Sequence, residues 1–150
     1  KKKNYNNIKK TSYYYINMLR GIKNFYREKQ KNNEVNDISF KNTHSFEKRK
    51  NESDRVLAKY PNRIPIICER LTMNVPKIDR MKYLCPDDLS ISSFMFVIRK
   101  RLKLEPEKAL YLFINSKIVP CSKLLADVYE KEKNEDGFLY INYAGESTFG

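Results

Sequence analysis

The chemically most suggestive residue is the last one, Gly150, which carries the terminal carboxylate on a residue without a side chain. A glycine at this position can enter a narrow enzyme channel and be activated there, because no Cβ obstructs the approach to its carbonyl. Residues 144–150 are small or polar and too poor in apolar side chains to pack, which suits such threading. The alternative interpretation is an ordinary frayed chain end, the fate of most termini.

Other groups with catalytic or metal-binding potential are few. His44 is the only histidine, no Gly-rich phosphate loop is present, and no cysteine has an evident base partner. Cys68, Cys85 and Cys121 are an odd number without a C-x-x-C pair, which argues against a disulfide framework and a zinc cluster. We therefore expect no enzyme, no metal or cofactor, and a cytoplasmic protein with reduced thiols.

The net charge of +12 is compatible with an anionic partner, either nucleic acid or a membrane surface. Its distribution is uneven, because residues 1–43 carry 11 Lys and Arg against 3 acids and residues 44–150 carry 19 against 15. Tyr13, Tyr14 and Tyr15 are candidates for stacking on bases. The clustering of charge in one terminal segment nevertheless argues against a nucleic-acid-binding module, which we keep as an alternative without expecting a nucleic-acid partner.

Residues 1–43 form a basic, Lys/Asn-rich extension that we predict to be largely disordered. Apolar residues recur at helical spacing between Tyr15 and Tyr26, which is also typical of a basic amphipathic helix on an anionic membrane or of a targeting segment. Gly21 weakens this helix, and isolated helices of such length are marginal in water. We favour the disordered interpretation, and no apolar run is long enough to span a membrane.

The rest of the chain, residues 44–150, predicts a domain of the α+β class in which a long helix crosses a mixed sheet. Ser45 and Ser90 are suitable N-caps, Pro61 ends the first helix, and Pro65 is awkward inside a strand. The predicted elements are helix 46–59, strands 64–68 and 80–84 as a hairpin, helix 91–104, strand 109–114, a short segment 117–119, a Ser122-capped helix to Tyr129, and strand 138–143.

This order and its residues resemble the autophagy ubiquitin-like modifiers, the family of light chain 3 and the GABA-receptor-associated protein. The resemblance covers about residues 44–150 and includes HSFEKRKNESDRVLAKYPNRIPIICER, KYLCPDDLSISSFMFVIRKRL, EKALYLFINSKIVP and FLYINYAGESTFG. It implies a ubiquitin-like β-grasp, a four-stranded mixed sheet with a helix across it, preceded by an N-terminal helical extension. The second strand of the hairpin would then lie at the sheet edge, and residues 1–43 exceed the usual short N-terminus of the family.

The resemblance implies capture of aromatic-x-x-aliphatic motifs of receptor and adaptor proteins, which add as a strand along residues 80–84. By the family's pattern, the aromatic pocket would consist of Glu52, Val56, Pro65, Ile67, Lys82, Leu84 and Phe138. The aliphatic pocket would consist of Tyr83, Cys85, Pro86, Leu89, Phe94 and Val97, and the acids that flank the motif would meet Arg63, Arg80 and Arg101. Cys85 stands where the family usually has an aliphatic residue, and the loop before Arg80 is about one residue shorter than in the GABA-receptor-associated branch, so motif preference stays open.

The resemblance also implies conjugation through Gly150. In the family this glycine is adenylated by an activating enzyme, passed as a thioester to a conjugating enzyme and joined to phosphatidylethanolamine; many relatives carry further residues that a protease first removes. We therefore expect a cytoplasmic protein that becomes associated with an autophagosome or plastid-type organelle membrane when it is lipidated. A ubiquitin-like modifier of proteins is the alternative.

Overall fold

The computed structural model describes residues 39–145. The helical pattern between Tyr15 and Tyr26 and the terminal Gly150 lie outside this range. The helices of the described range are α1 (Phe40–Thr43), α2 (Phe46–Lys59), α3 (Ile91–Leu102) and α4 (Leu125–Glu132). Its strands are β1 (Arg63–Arg70), β2 (Lys82–Pro86), β3 (Leu110–Ile114), β4 (Lys117–Ile118) and β5 (Leu139–Gly145).

The strands form one mixed sheet in the order β2-β1-β5-β3-β4. β1 and β5 are parallel at its centre, and the other neighbouring pairs are antiparallel. The predicted α+β class is therefore confirmed, with five strands rather than four in the described range. The additional strand β4 follows β3 through Asn115 and Ser116, whose φ angles of 49° and 64° suit a tight two-residue hairpin turn.

One face of the sheet carries the main apolar core, into which α3 packs. Ser90 caps α3 by accepting the backbone N–H of Ser93, and the apolar face that follows, including Phe94 and Ile98, is buried against the strands. Side chains alternate along a strand, so neighbouring residues of β1 serve opposite faces. Ile66 belongs to this core, whereas Ile67 packs on the other face with Phe40 and Phe138.

Phe40 attaches α1 to the sheet. From the sequence, we expect this residue to belong to the extension 1–43. Its side chain is 1% exposed, and its backbone N–H donates to the carboxylate of Glu69 on β1 at 3.0 Å. α1 is only four residues long and cannot be stable alone. Burial of the Phe40 ring and the hydrogen bond to Glu69 therefore hold this turn on the sheet.

Two predicted elements are shifted along the chain by two residues or more at both ends. The edge strand is Lys82–Pro86 and not 80–84, and Asp79 and Arg80 before it are exposed loop residues. The last helix begins at Leu125 and not at Ser122, because Pro120 accepts the backbone N–H of Lys123 in a preceding turn. Its N-cap makes no side-chain hydrogen bond.

Pro65 lies in the middle of β1, a position at which the sequence predicts a proline to be unfavourable. The backbone N–H of Cys68 donates to Met81 at 2.8 Å, and hydrogen-bonded pairs alternate along an antiparallel ladder. Pro65 therefore directs its nitrogen away from β2, toward β5. The pairing with β5 begins only at Ile66, so the missing N–H removes no bond from the ladder.

Candidate peptide-binding edge

β2 is an outer strand of the sheet, and half of its backbone groups face outward. In the alternation set by the bond from Cys68 to Met81, Lys82 and Leu84 occupy positions whose N–H and C=O point away from β1. Such groups are a template for a further strand. The predicted position of the hairpin's second strand at the sheet edge is confirmed.

The side chains of β2 divide the predicted pocket residues between the two faces of the sheet. Lys82 and Leu84 lie opposite Ile67 and Pro65, on the face that carries Phe40 and Phe138. The intervening residues Tyr83 and Cys85 lie opposite Ile66 and Ile64, on the face covered by α3. The register thus separates the predicted aromatic pocket from the predicted aliphatic pocket across the thickness of one strand.

On the first face, an ion pair connects β2 to α2. Lys82 Nζ lies 2.7 Å from Glu52 Oε1, with side chains 49% and 26% exposed. Val56 and Leu84 are half-buried, whereas Pro65, Ile67 and Phe138 are buried. The predicted aromatic-pocket residues therefore lie on neighbouring elements, with Ile67 and Phe138 contributing mainly as packed floor.

Phe40 is the member of this face that sequence reasoning missed. Its ring lies 5.4 Å from the ring of Phe138 at an interplanar angle of 76°, and Lys82 Nζ stands 5.1 Å from its centroid. A cation over an aromatic face is attracted by the ring quadrupole. Phe40 and Glu52 together hold Lys82, a predicted motif contact, in place.

On the second face, Tyr83 packs edge-on against Phe94, with ring centroids 5.6 Å apart and planes at 88°. Leu89 is half-buried against the main core, and Pro86 and Val97 are exposed. The Tyr83 hydroxyl is buried without a hydrogen-bond partner among residues 39–145, and burial raises the pKa of Tyr83. Pro86 and Val97 are therefore the solvent-exposed members of the predicted aliphatic pocket.

Cys85 is buried in the same surface at 9% exposure. Burial raises the pKa of the Cys85 thiol to about 11, although the positive charge of Arg63 acts in the opposite direction. The thiol is therefore protonated at neutral pH and serves as a small apolar side chain. Cys85 therefore contributes to this surface through its shape and not through its reactivity.

The three predicted acid-binding arginines lie at different places around β2. Arg63 pairs with Pro86 across the ladder and donates from Nη1 to the Leu84 carbonyl at 3.5 Å. Arg80 is exposed in the loop before β2. Arg101, on the last turn of α3, contacts Asp79 in that loop. Positive charge therefore lies near both ends of the edge strand.

A buried polar cluster fixes α2 to the residues before β5. Asp136 is 0% exposed and bonds through Oδ2 to Arg49 and to the Tyr140 hydroxyl, while Oδ1 accepts the Phe138 N–H at 2.9 Å. Ser53 of α2 donates to the Asp136 carbonyl. Burial and the bond to Asp136 raise the pKa of Tyr140. This cluster positions Phe138 on the first face. In the sequence, the cluster was indicated only by the turn-forming residues around Asp136.

The last described residues of β5 are anchored to the loop between β1 and β2. The Tyr143 hydroxyl accepts the Ile78 N–H at 2.7 Å and donates to the Pro76 carbonyl at 2.9 Å. Gly145 is buried and donates to Thr72 Oγ1 at 3.1 Å. The point from which the residues toward Gly150 continue is therefore part of the packed structure.

Two further properties of residues 39–145 bear on function. No group of three or more His, Cys, Asp or Glu in this range is arranged to hold a metal ion. None of its helices has both the length and the apolar character needed to cross a membrane.

The chain was compared with known protein families and structures. A family described as "Autophagy protein Atg8 ubiquitin like" matches residues 48–150. Autophagy-related protein 8 of Schizosaccharomyces pombe is 54% identical over 112 residues, which are 74% of this chain and 93% of that protein. The corresponding protein of Mycosarcoma maydis is 52% identical over 113 residues, 75% of this chain and 96% of that protein.

Solved structures agree with this assignment. Trypanosoma brucei ATG8 is 44% identical, with a TM-score of 0.70 over 75% of this chain and 97% of that chain. Plasmodium falciparum Atg8, solved in complex with a Plasmodium falciparum Atg3 peptide, is 35% identical with a TM-score of 0.66, covering 71% of this chain and 94% of that chain. The family resemblance and the ubiquitin-like fold predicted from the sequence are both confirmed. A mixed sheet crossed by α3, an outer strand at β2 and this extent of identity place the chain in the Atg8 family of autophagy ubiquitin-like proteins.

Proposed function

We propose that this autophagy ubiquitin-like protein is conjugated through Gly150 to phosphatidylethanolamine and binds aromatic-x-x-aliphatic motifs along β2. The observation that carries the motif-binding part is the alternation of side chains on β2. Lys82 and Leu84 belong to one face of the sheet, and Tyr83 and Cys85 to the other. Two residues of an added strand that are separated by three positions also point to opposite faces. The x-x spacing of the motif thus matches the two surfaces.

The direction of the added strand follows from the positions of the two surfaces along β2. The aromatic surface lies at Lys82 and Leu84, and the aliphatic surface extends beyond Cys85 to Pro86 and Leu89. A motif in which the aromatic residue precedes the aliphatic one therefore runs parallel to β2. Its main-chain bonds are made to the outward groups of Lys82 and Leu84, and the side-chain surfaces select the sequence.

The conjugation part rests on family membership and on the anchored end of β5. The proposed activating enzyme needs an accessible terminal carboxylate, and a fixed point shortly before that carboxylate limits the positions it can take. Tyr143 and Gly145 supply that fixed point through their bonds to the β1–β2 loop. The Plasmodium falciparum Atg8 structure contains an Atg3 peptide, which supports a conjugating enzyme as a partner of this chain as well. An activating enzyme, motif-bearing receptors and adaptors, and phosphatidylethanolamine complete the proposed partners.

Lipid attachment would decide where the protein resides. Each buried CH₂ of an acyl chain contributes about 0.8 kcal/mol to membrane binding, so two acyl chains anchor a protein far more firmly than basic residues on its surface. We infer a cytoplasmic protein that moves to an autophagosome or plastid-type membrane upon conjugation.

Reconstitution tests this proposal. The full chain is incubated with activating and conjugating enzymes, ATP and liposomes that contain phosphatidylethanolamine. We expect a membrane-bound fraction that survives high salt, since salt screens electrostatic adsorption. Deletion of Gly150 is the matched variant, and equal retention of this variant on liposomes in high salt would refute conjugation through Gly150. Mass spectrometry of the product distinguishes a lipid adduct from a protein adduct, which would instead indicate a protein modifier.

A further inference from the structure

Arg101, one of the proposed contacts for motif acids, is already paired with an acid of its own chain. Its Nε lies 3.2 Å from Asp79 Oδ1, and its Nη2 lies 3.2 Å from Asp79 Oδ2. Two parallel N–H···O contacts are the geometry in which an arginine binds a carboxylate most specifically. Asp79 therefore occupies the guanidinium in the way that an acid of a bound peptide would.

Asp79 also lies at the end of β2 where those peptide acids are expected. It precedes Lys82, the first residue of β2, by three positions. A motif that runs parallel to β2 places the residues before its aromatic side chain beside the start of that strand. Acids on this side of the motif and the Asp79 carboxylate consequently compete for the same guanidinium.

The backbone before Asp79 is fixed while its carboxylate is free to leave. Ile78 is buried, and its N–H donates to the Tyr143 hydroxyl at 2.7 Å, which keeps Asp79 beside α3. The Asp79 side chain is 70% exposed and that of Arg101 is 32% exposed. Exposed ion pairs contribute little to folding, so exchange of one carboxylate for another is not opposed by the fold. The Arg101 guanidinium lowers the pKa of Asp79, which is ionised at neutral pH.

We propose that Asp79 is an internal competitor that sets the motif preference of the β2 edge. It holds Arg101 until a partner with several acids directly before the aromatic residue displaces it. A motif with neutral flanking residues leaves the Asp79–Arg101 pair intact and gains nothing from Arg101. This inference rests on the proposed binding of motifs along β2 and names Asp79 as the residue that determines how strongly that edge responds to acids of the motif.

Calorimetric titration of the full chain tests the inference with two synthetic peptides. One carries three acids before Trp-x-x-Leu, and the other carries three serines there. We expect Asp79→Asn to tighten binding of the acidic peptide about threefold to fivefold, the upper part of the range of an exposed ion pair. Binding of the serine peptide should stay unchanged. The gain should shrink in 1 M salt, where the Debye length is about 3 Å.

Two matched variants separate competition from a general change of charge. Glu130→Gln removes the same charge from an exposed position on α4 and should not tighten binding. In an Arg101→Gln background, Asp79→Asn should have no further effect, because the contested group is absent. An equal gain with Glu130→Gln, with the serine peptide or in the Arg101→Gln background would overturn the competitor role. Failure of the wild-type chain to bind either peptide would overturn the proposed motif site and this role with it.

Discussion

Substitution of Gly137 by alanine should destabilise the domain through two separable effects. Gly137 has a φ of 88°, a conformation that residues with a Cβ adopt only at a cost of about 1–2 kcal/mol. An added Cβ would also overlap Ser53 Oγ and lie 3.0 Å from Ser53 Cβ. The Ser53 hydroxyl would have to abandon its bond to the Asp136 carbonyl, and a buried group left unsatisfied costs about 1–3 kcal/mol.

Together these effects predict a loss of about 2–5 kcal/mol in the free energy of unfolding, or a thermal midpoint lower by roughly 6–20 °C. The assay is thermal and urea unfolding of Gly137→Ala, Ser53→Ala and the double variant. Ser53→Ala removes the overlapping oxygen, so the double variant should be more stable than the sum of the single losses predicts, by about 1 kcal/mol. Strictly additive losses, or a Gly137→Ala protein as stable as the wild type, would refute the predicted contact with Ser53.

Further predictions concern the attached turn, the edge strand and the cysteines. Phe40→Ala should lower the free energy of unfolding by about 2–3 kcal/mol in urea titrations, because the variant loses a buried ring; the loss is limited because the short turn α1 can detach from the sheet. Removal of residues 1–38 should change the free energy of unfolding by less than about 0.5 kcal/mol. Equal stability of wild type and Phe40→Ala would contradict the docking of α1. Lys82→Glu should weaken binding of an acid-flanked Trp-x-x-Leu peptide roughly tenfold by calorimetry, because the new carboxylate then faces the acids of the peptide. The thermal midpoint should be nearly unchanged, because residue 82 lies at an exposed edge. In maleimide labelling of the native protein followed by mass spectrometry, the exposed Cys121 should react first. Cys85, whose pKa is raised to about 11, should become reactive only as the pH rises toward that value or the protein unfolds; early labelling of Cys85 at neutral pH would contradict its burial.

The sequence predicted the elements whose signals are local. Ser90 followed by one apolar helical face located α3, and continuous or alternating apolar runs located β3 and β5 to within two residues. The charged start of the hairpin's second strand suggested an edge, and the topology confirms that position. The individual pocket residues were assigned by resemblance, and their roles in binding a motif stay predictions.

The features that sequence reasoning missed depend on contacts between distant residues. Phe40 is one aromatic residue in a polar segment and produces no periodic pattern, although it is fully packed on β1 and β5. Arg49 and Asp136 are 87 positions apart, so neither residue alone signals a buried ion pair. The start of α4 was misplaced because Ser122 has good capping chemistry but lies in a turn.

The central position of β5 determines how the domain would carry a mechanical load. β5 is bonded along its length to the parallel β1 on one side and to the antiparallel β3 on the other. Under the proposed conjugation, a membrane anchor would pull on β5 from its carboxyl end, and a partner bound at β2 would pull against it through β1. The ladders between β5 and β1 and between β1 and β2 would then be loaded in shear, so that many backbone bonds share the force instead of opening one after another. A protein conjugated in this way while it holds a partner at β2 would be loaded along the direction in which these ladders resist most.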